Sequence, residues 1–210
     1  MKIRSLLLPF AAVLMLVVSG PGCNYNSIVA QDEQVNQAWA DVQSQYQRRA
    51  DLVPNLVNTV KGAANFEQTT LTQVTEARSR ASSIQLSAED LNDPAKIQQF
   101  QEAQAQLSQG LGRLLAVAEN YPELKATDAF RDLSAQLEGT ENRINVARDR
   151  YNNEVASYNT MIRSFPTTVY AGWFGFRPKT PFQADAGAQT APKVDFGQPG
   201  AAPAVPAPGQ

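Results

Sequence analysis

Helical periodicity over a long stretch with few prolines is the feature that most limits how this chain can fold. Between Ile28 and Phe165 there are three prolines, at positions 54, 94 and 122. Apolar residues at the start of this stretch are separated by seven, four, three and four positions: Ile28, Val35, Trp39, Val42 and Tyr46. This spacing places them on one face of an amphipathic helix. We therefore expect an all-α fold.

Four long helices with short connections are predicted. The first is expected over residues 27–50, and Asp51 with Pro54 is predicted to begin the second. Pro94 begins a third helix and Pro122 the fourth. Because each helix must bury its apolar face against another, we predict an up-and-down antiparallel four-helix bundle. Alternatively, the first two segments form one helix that is kinked at Pro54, which leaves three helices.

The first 22 residues are predicted to be a secretory leader. Lys2 and Arg4 precede an apolar run of about 13 residues, Leu6 to Val18, which is shorter than the roughly 20 residues that span a bilayer. Cys23 follows small residues and resembles the acylated cysteine of bacterial lipoproteins. Lipid attachment at Cys23 is expected, with an uncleaved anchor as the alternative. Either one tethers the protein to a membrane of the bacterial cell envelope, with the bundle outside the cytoplasm.

The remaining chain divides into a domain and a tail. Residues 23–182 are predicted to form the helical domain, which ends in an aromatic loop from Val169 to Phe182. That loop is expected either to seal one end of the core or to dock on a membrane or partner. Residues 183–210 are rich in Ala, Pro and Gly and are predicted to be disordered.

Composition disfavours catalysis, metal binding and nucleic-acid binding. The chain has no histidine, which removes the commonest general base and metal ligand. Its single cysteine cannot build a thiolate metal cluster. Lys and Arg total 18 against 20 Asp and Glu, a formal charge of −2, so there is no basic field to attract nucleic acid. We expect no enzyme activity, no cofactor and no metal.

Charged residues at apolar positions of the helical repeats are candidate interaction or register residues. Extending the repeats places Asp32 and Arg49 on the first apolar seam, and Glu67 and Arg78 on the second. Gln104 alone interrupts the third seam. Buried ion pairs are best attested as devices that fix the register between helices. That role is expected here, with solvated bundle ends and a ligand site as alternatives.

Two further groups of charged residues are candidates of the same kind. Arg48 and Asp51 have the spacing of a local ion pair and are expected to set the turn at the helix break. Glu141 and Arg143 belong to a charge-rich stretch of the last helix. This stretch is interpreted as a solvated face, or alternatively as a partner-binding stripe.

Several blocks of the sequence resemble the LemA family, in the family's order and over residues 25–182. The blocks are Tyr25-Asn26-Ser27-Ile28-Val29, Arg48 to Val57, Tyr121 to Ala126, Leu137 to Ile144, Tyr151-Asn152, Tyr158-Asn159 and Phe165-Pro166. The resemblance implies a four-helix bundle attached to a membrane by its N-terminal segment, with a scaffold-like role in membrane-organelle or envelope processes. The family often has a histidine just before Glu67, where this chain has Asn65 and Phe66, so no role of that histidine carries over.

Three functions are consistent with these features. The first is a non-enzymatic, membrane-tethered interaction or scaffold module of the envelope, with a protein partner of unknown identity. The second is a binding protein for a lipid or small apolar ligand, which Tyr151, Tyr158 and the aromatic loop suggest. The third is an enzyme acting through Glu67, Glu141 and the arginines, which the composition disfavours.

Overall fold

The structure, a computed structural model, describes residues 21–63 and 66–183. Residues 1–20 of the predicted leader, the side chain of Cys23 and all but the first residue of the predicted tail lie outside the described part. Within the described ranges the chain is helical and contains no strand, which confirms the all-α prediction. None of the helices described there is long and apolar enough to cross a membrane.

The described ranges contain four long helices and three short ones. The long helices are α1 (Pro21–Lys61), α2 (Gln68–Ser83), α3 (Pro94–Ala118) and α5 (Asp128–Arg163). The short ones are a 3₁₀ turn (Asp90–Asn92), α4 (Pro122–Lys125) and α6 (Thr167–Tyr170). The third long helix begins at Pro94 as predicted, and Asp93 caps it, because the Asp93 carboxylate accepts a hydrogen bond from the amide of Ala95 at 2.9 Å.

The predicted helix break at Asp51 is wrong. α1 continues through Pro54 to Lys61, and the turn that separates it from α2 begins at Gly62. Asp51 is therefore inside α1 and caps nothing: it accepts a hydrogen bond from Gln47 Nε2 at 2.8 Å. The three-helix alternative is correct that one helix runs through Pro54, but its helix count is wrong, since α1 ends at Lys61 and α2 is a separate helix that starts after the turn.

α1 and α5 pack against each other along most of their length. Gln31 near the start of α1 donates to the carboxylate of Glu154 near the end of α5 at 2.7 Å. Farther along α1, Arg49 meets Glu141 at 2.9 Å. Because rising positions on α1 meet falling positions on α5, these two helices run in opposite directions.

α2 and α3 form the second closely packed pair. Gln73 of α2 accepts a hydrogen bond from Arg113 of α3 at 2.7 Å. Gly110 lies against α2 so closely that a Cβ atom there would meet Val74 Cγ2 at 3.4 Å. Farther along α2, Ala81 accepts a hydrogen bond from Gln104 of α3, so rising positions on α2 meet falling positions on α3 and the two helices run in opposite directions.

The core consists of two groups of buried side chains at opposite ends of the helices. The first, here called the aromatic cluster, contains Trp39, Phe100, Tyr151 and Phe182 among its members. The second, the aliphatic cluster, is built largely from Val, Leu and Ala of α1, α2 and α3. Burial of one large apolar side chain contributes roughly 1.5–3 kcal/mol, so both clusters stabilise the helix packing.

Residues 177–183 form an extended segment, here called the strap, that lies along α5. The side-chain amide of Asn159 donates to the carbonyl of Lys179 at 2.8 Å and accepts from its amide at 2.9 Å. Asn152 forms the same bracket with Phe182, at 3.3 and 2.8 Å. These brackets satisfy backbone groups of the strap and place the Phe182 ring in the aromatic cluster.

Candidate functional site

A layer of polar side chains separates the aromatic from the aliphatic cluster. At its centre Arg49 is only 2% exposed. Its Nη1 donates to the Glu141 carboxylate at 2.9 Å and to the Ser108 hydroxyl at 2.7 Å, and its Nη2 donates to Gln104 Oε1 at 2.8 Å. The guanidinium also lies 5.0 Å from the centre of the Tyr46 ring. Arg49 therefore connects α1 to both α3 and α5.

Two more hydrogen bonds bring α2 into this central polar layer. Pro54 has no N–H, so the carbonyl of Ala50, one turn earlier, lacks its usual helical donor. Arg78 Nε donates to that carbonyl at 2.7 Å. Gln104 Nε2 donates to the carbonyl of Ala81 at 3.3 Å, in the last turn of α2. All four long helices thus contribute a group to the layer.

The pairing of Arg49 with Glu141 is asymmetric with respect to solvent. The Arg49 side chain is 2% exposed, whereas that of Glu141 is 45% exposed. A buried guanidinium needs an opposite charge and hydrogen-bond acceptors nearby, and it has both here. The carboxylate that neutralises it is nevertheless accessible from one side of the bundle.

Arg48 and Asp51 lie near the central polar layer in sequence but not within it. Arg48 is exposed, and none of the ion pairs among the described residues joins it to Asp51, whose carboxylate is bound by Gln47 instead. The predicted ion pair between Arg48 and Asp51 is therefore wrong. With α1 continuous at this point, there is no turn for such a pair to set.

Glu67 and Arg143 are also outside the layer. Glu67 is exposed just before α2, and its carboxylate accepts a hydrogen bond from Thr70 at 3.1 Å. Arg143 is exposed on α5, with Nη2 at 3.4 Å from the Thr140 hydroxyl. Of the candidates predicted from the sequence, the structure thus brings together Arg49, Arg78 and Glu141.

A second buried cation, Lys179 of the strap, lies in an aperiodic segment, where helical periodicity gives no signal for it. Lys179 is 5% exposed, and its Nζ lies 3.0 Å from Asp32 Oδ1 and 3.1 Å from Asn36 Oδ1. It also lies 5.7 Å from the centre of the Tyr158 ring. Asp32 was predicted on the first seam, and its partner is this strap lysine.

Burial dominates the protonation behaviour of the tyrosines beside the strap. Desolvation, followed by the negative charge of Asp32, raises the pKa of Tyr158 to about 12 from its ordinary value of 10.0. Desolvation also raises the pKa of Tyr151 strongly. The hydroxyl of Tyr151 donates to the carbonyl of Thr180 at 2.9 Å, so the neutral form of Tyr151 stabilises the docked strap.

A groove between α3 and α5 opens onto the central polar layer. Three clefts of about 630, 490 and 470 Å³ lie along these helices. Neighbouring clefts share lining residues: Arg49, Ser108 and Glu141 for the first two, and Leu115, Ser134 and Glu138 for the second and third. These adjacent clefts along the two helices are together called the α3–α5 groove here.

A family model described as the LemA family matches residues 38–196. The chain belongs to the LemA family. The resemblance read from the sequence blocks is thereby confirmed. The match contains every residue of the central polar layer and also Lys179, whereas Asp32 lies before its start.

Curated relatives from three bacteria are similar to this LemA-family chain. It is 27% identical to Protein LemA of Metamycoplasma hominis, over 70% of this chain and 63% of the relative. It is 26% identical to Magnetosome protein MamQ 2 of Paramagnetospirillum magneticum, over 76% and 64%. It is 25% identical to Magnetosome protein MamQ of Magnetospirillum gryphiswaldense, over 73% and 62%. The chain therefore spans less than two thirds of each of these relatives.

The described residues contain no group of three or more His, Cys, Asp or Glu side chains placed to hold a metal ion. The two glutamates considered as catalytic candidates occupy different parts of the fold. Glu67 precedes α2, and Glu141 lies within α5, where its carboxylate is engaged by Arg49. The hydrogen bonds around Glu141 join helices to one another. The part of the site that solvent or a partner can reach is the α3–α5 groove.

Proposed function

We propose that this protein is a non-enzymatic, membrane-tethered interaction or scaffold module of the bacterial cell envelope. Its four long helices form an up-and-down antiparallel bundle, and its N-terminal segment is the tether, through lipidated Cys23 or an uncleaved anchor. The bundle lies outside the cytoplasm and binds a protein partner. The observation that carries the proposal is the α3–α5 groove.

The length of the groove favours a polypeptide occupant over a small molecule. It extends along α3 from Gln98 to Leu115 and along α5 from Phe130 to Arg148. At 1.5 Å per residue, these spans are roughly 25 Å each. Small-molecule sites are compact cavities that enclose most of their ligand, whereas an open depression of this length matches a helix or extended peptide.

The chemistry of the groove also suits a protein surface. Apolar side chains such as Leu111, Leu115 and Leu137 line its middle. Charged and amide groups, including Gln101, Glu102 and Arg148, line the end near the aromatic cluster. A mixed lining of this kind provides apolar contact area together with polar groups that specify register.

The non-enzymatic part of the proposal is supported by how the polar groups are used. Arg49 and Arg78 donate to neighbouring helices, which is the arrangement expected of residues that fix helix register. The names of the relatives, Protein LemA and Magnetosome protein MamQ, name no reaction.

Site-specific photo-crosslinking in cells tests the interaction. Photoreactive residues placed at Gln109 and Glu138, which are exposed in the groove, should capture one discrete protein. A probe at Glu76, exposed on α2, should not capture it. The captured protein is then identified by mass spectrometry and purified, and its binding to the purified full-length protein is measured.

Gly112 provides a matched pair of variants for that binding measurement. It lies in the groove, and a Cβ atom there would meet nothing within 4 Å. Gly112→Trp should fill the groove and abolish binding, whereas Gly112→Ala should leave it open and retain binding. Equal binding by both variants, or capture of the same species from Glu76, would rule out the groove as the interface.

A lipid or small apolar ligand remains the alternative occupant. The rings that suggest such a ligand in the sequence, Tyr151 and Tyr158, are buried against Phe182 and Lys179 respectively, so the aromatic cluster is filled by the protein's own side chains. Capture of lipid, without protein, by the groove probes would support this alternative and overturn the interaction module.

A further inference from the structure

Exposed apolar side chains are concentrated at one end of the molecule. Among the described residues, seven large apolar side chains are exposed. Six of them, here called the anchor-end patch, lie at the start of α1 or just after α5: Tyr25, Val29, Phe165, Val169, Trp173 and Phe174. Phe165 and Trp173 are each 84% exposed. The seventh, Val146, lies in the middle of α5.

The two parts of the patch contact each other. The Tyr25 ring lies 5.2 Å from the Phe174 ring and 5.7 Å from the Phe176 ring, centre to centre. The start of α1 and the segment after α5 are thus one surface. A cluster of exposed aromatic side chains of this kind marks a docking surface.

The position of the patch identifies its occupant. Tyr25 is two residues after Cys23 and four after Pro21, where α1 begins. Either form of the proposed tether joins the bundle at the start of α1. At 1.5 Å per residue, Pro21 lies roughly 6 Å from Tyr25 along the helix axis. A membrane that holds the N-terminus therefore lies next to the patch.

The charge of this end of the molecule complements an anionic lipid surface. Residues 21–31 and 155–183 contain no Asp or Glu. Arg163 and Arg177 are exposed and flank the aromatic residues 165–176 in sequence, and Lys179 is already paired with Asp32. The chain as a whole carries a formal charge of −2, and carboxylates begin at Asp32 and Glu33, one turn beyond Val29 on α1, so the basic character is confined to this end.

We propose that the anchor-end patch docks on the surface of the bilayer that holds the tether. Trp173 and Phe174 enter the interface between headgroups and acyl chains, where tryptophan and other amphipathic rings are favoured. Arg163 and Arg177 bind the phosphates of anionic headgroups. This docking rests on the proposed membrane tether and extends it, because it gives the bundle a fixed orientation that a tether alone does not.

The two tryptophans of the chain make the docking measurable. Trp39 is 3% exposed in the aromatic cluster, and Trp173 is 84% exposed in the patch. The full-length protein, purified from bacterial membranes, is reconstituted into phosphatidylcholine vesicles that contain phosphatidylglycerol. Flotation reports the tether, and fluorescence quenching by brominated lipids reports the patch. We expect the protein to float and the Trp173 emission to be quenched, most strongly by bromines near the headgroups.

Substitutions assign the quenching to the patch. The quenched component should be absent in Trp173→Phe, which leaves Trp39 as the only tryptophan. It should be weakened in the double variant Arg163→Gln/Arg177→Gln and in vesicles without phosphatidylglycerol. Val146→Ser, which removes the exposed apolar side chain outside the patch, should leave it unchanged.

The possible failures are distinguishable. If the protein floats, and Trp173 is quenched by aqueous iodide but not by brominated lipid, the docking is overturned and the tether stands. Protein that does not float overturns the tether and the docking together. Shielding of Trp173 from iodide without quenching by brominated lipid means that protein covers the patch, and this also overturns bilayer docking.

Discussion

Arg78 Nε donates a hydrogen bond of 2.7 Å to the carbonyl oxygen of Ala50. In a regular α-helix that oxygen would accept from the amide of residue 54, but Pro54 has no N–H. The proline inside α1 therefore creates a free acceptor, and an arginine of α2 occupies it. This bond explains how α1 continues through a proline and how α2 is held beside it.

Replacement of Arg78 by methionine should destabilise the protein by about 1–3 kcal/mol, because the buried Ala50 carbonyl loses its donor. Pro54→Ala restores an amide that can bind that carbonyl within α1. In the Pro54→Ala background, Arg78→Met should therefore cause a smaller loss. Urea unfolding of the wild type, the two single variants and the double variant measures the coupling between Arg78 and Pro54 as a double-mutant cycle. Equal losses of stability on Arg78→Met in both backgrounds would refute the explanation.

Removal of Glu141 should leave the buried guanidinium of Arg49 without its counter-charge. We expect Glu141→Ala to lower the free energy of unfolding by about 2 kcal/mol, below the range for fully buried pairs because the Glu141 side chain is 45% exposed. The double variant Arg49→Met/Glu141→Ala removes both charges and should be less destabilised than Glu141→Ala alone.

Denaturant unfolding compares these variants with Glu138→Ala, a change at an exposed position one turn earlier on α5. That control should stay within about 0.5 kcal/mol of the wild type. If the double variant were at least as unstable as Glu141→Ala, an uncompensated buried charge could not be the cause of the loss.

Apolar periodicity predicted the helices and the core well, because it reflects which face of each helix is buried. The five residues of the first seam, from Ile28 to Tyr46, are all buried. The predicted helix break at Asp51 is wrong because Pro54 leaves only the Ala50 carbonyl without a donor, and Arg78 of another helix supplies one. No local pattern carries that information.

The candidate site was only partly predictable for a similar reason. Arg49 and Arg78 were identified as charges on apolar seams, and Gln104 as an interruption of the third seam. All three belong to the central polar layer. Their partners depend on helix packing: Glu141 is 92 positions from Arg49. Lys179 lies outside any helical repeat, so its pairing with Asp32 left no periodic signal.

Loss of either asparagine bracket should release the strap from α5. Asn159→Ala removes both hydrogen bonds to the backbone of Lys179, and Asn152→Ala removes those to Phe182. Trypsin cleavage after Lys179 reports the release, because Lys179 is 5% exposed when the strap is docked. We expect cleavage there to become markedly faster in both variants.

The neighbouring substitution Asn153→Ala is the matched control for the strap, since Asn153 is exposed on the same helix. Its cleavage rate after Lys179 should equal that of the wild type. The Arg177 site does not interfere, because the following residue is Pro178 and trypsin cleaves poorly before proline. Unchanged cleavage in both bracket variants would mean that the other strap contacts hold it without the brackets: the Lys179–Asp32 ion pair, the Tyr151–Thr180 hydrogen bond and the packing of Phe182.

Tyr158 should make the folded protein sensitive to alkaline pH. Burial and the charge of Asp32 raise its pKa to about 12 in the fold, whereas the unfolded value is about 10. The unfolded chain therefore loses this proton first, so stability that is complete below about pH 10 falls as the pH rises towards 12. Tyr158→Phe cannot ionise, and its free energy of unfolding should vary less with pH across this window. Urea unfolding at several pH values tests this, and the same pH dependence in both proteins would show that Tyr158 does not control it.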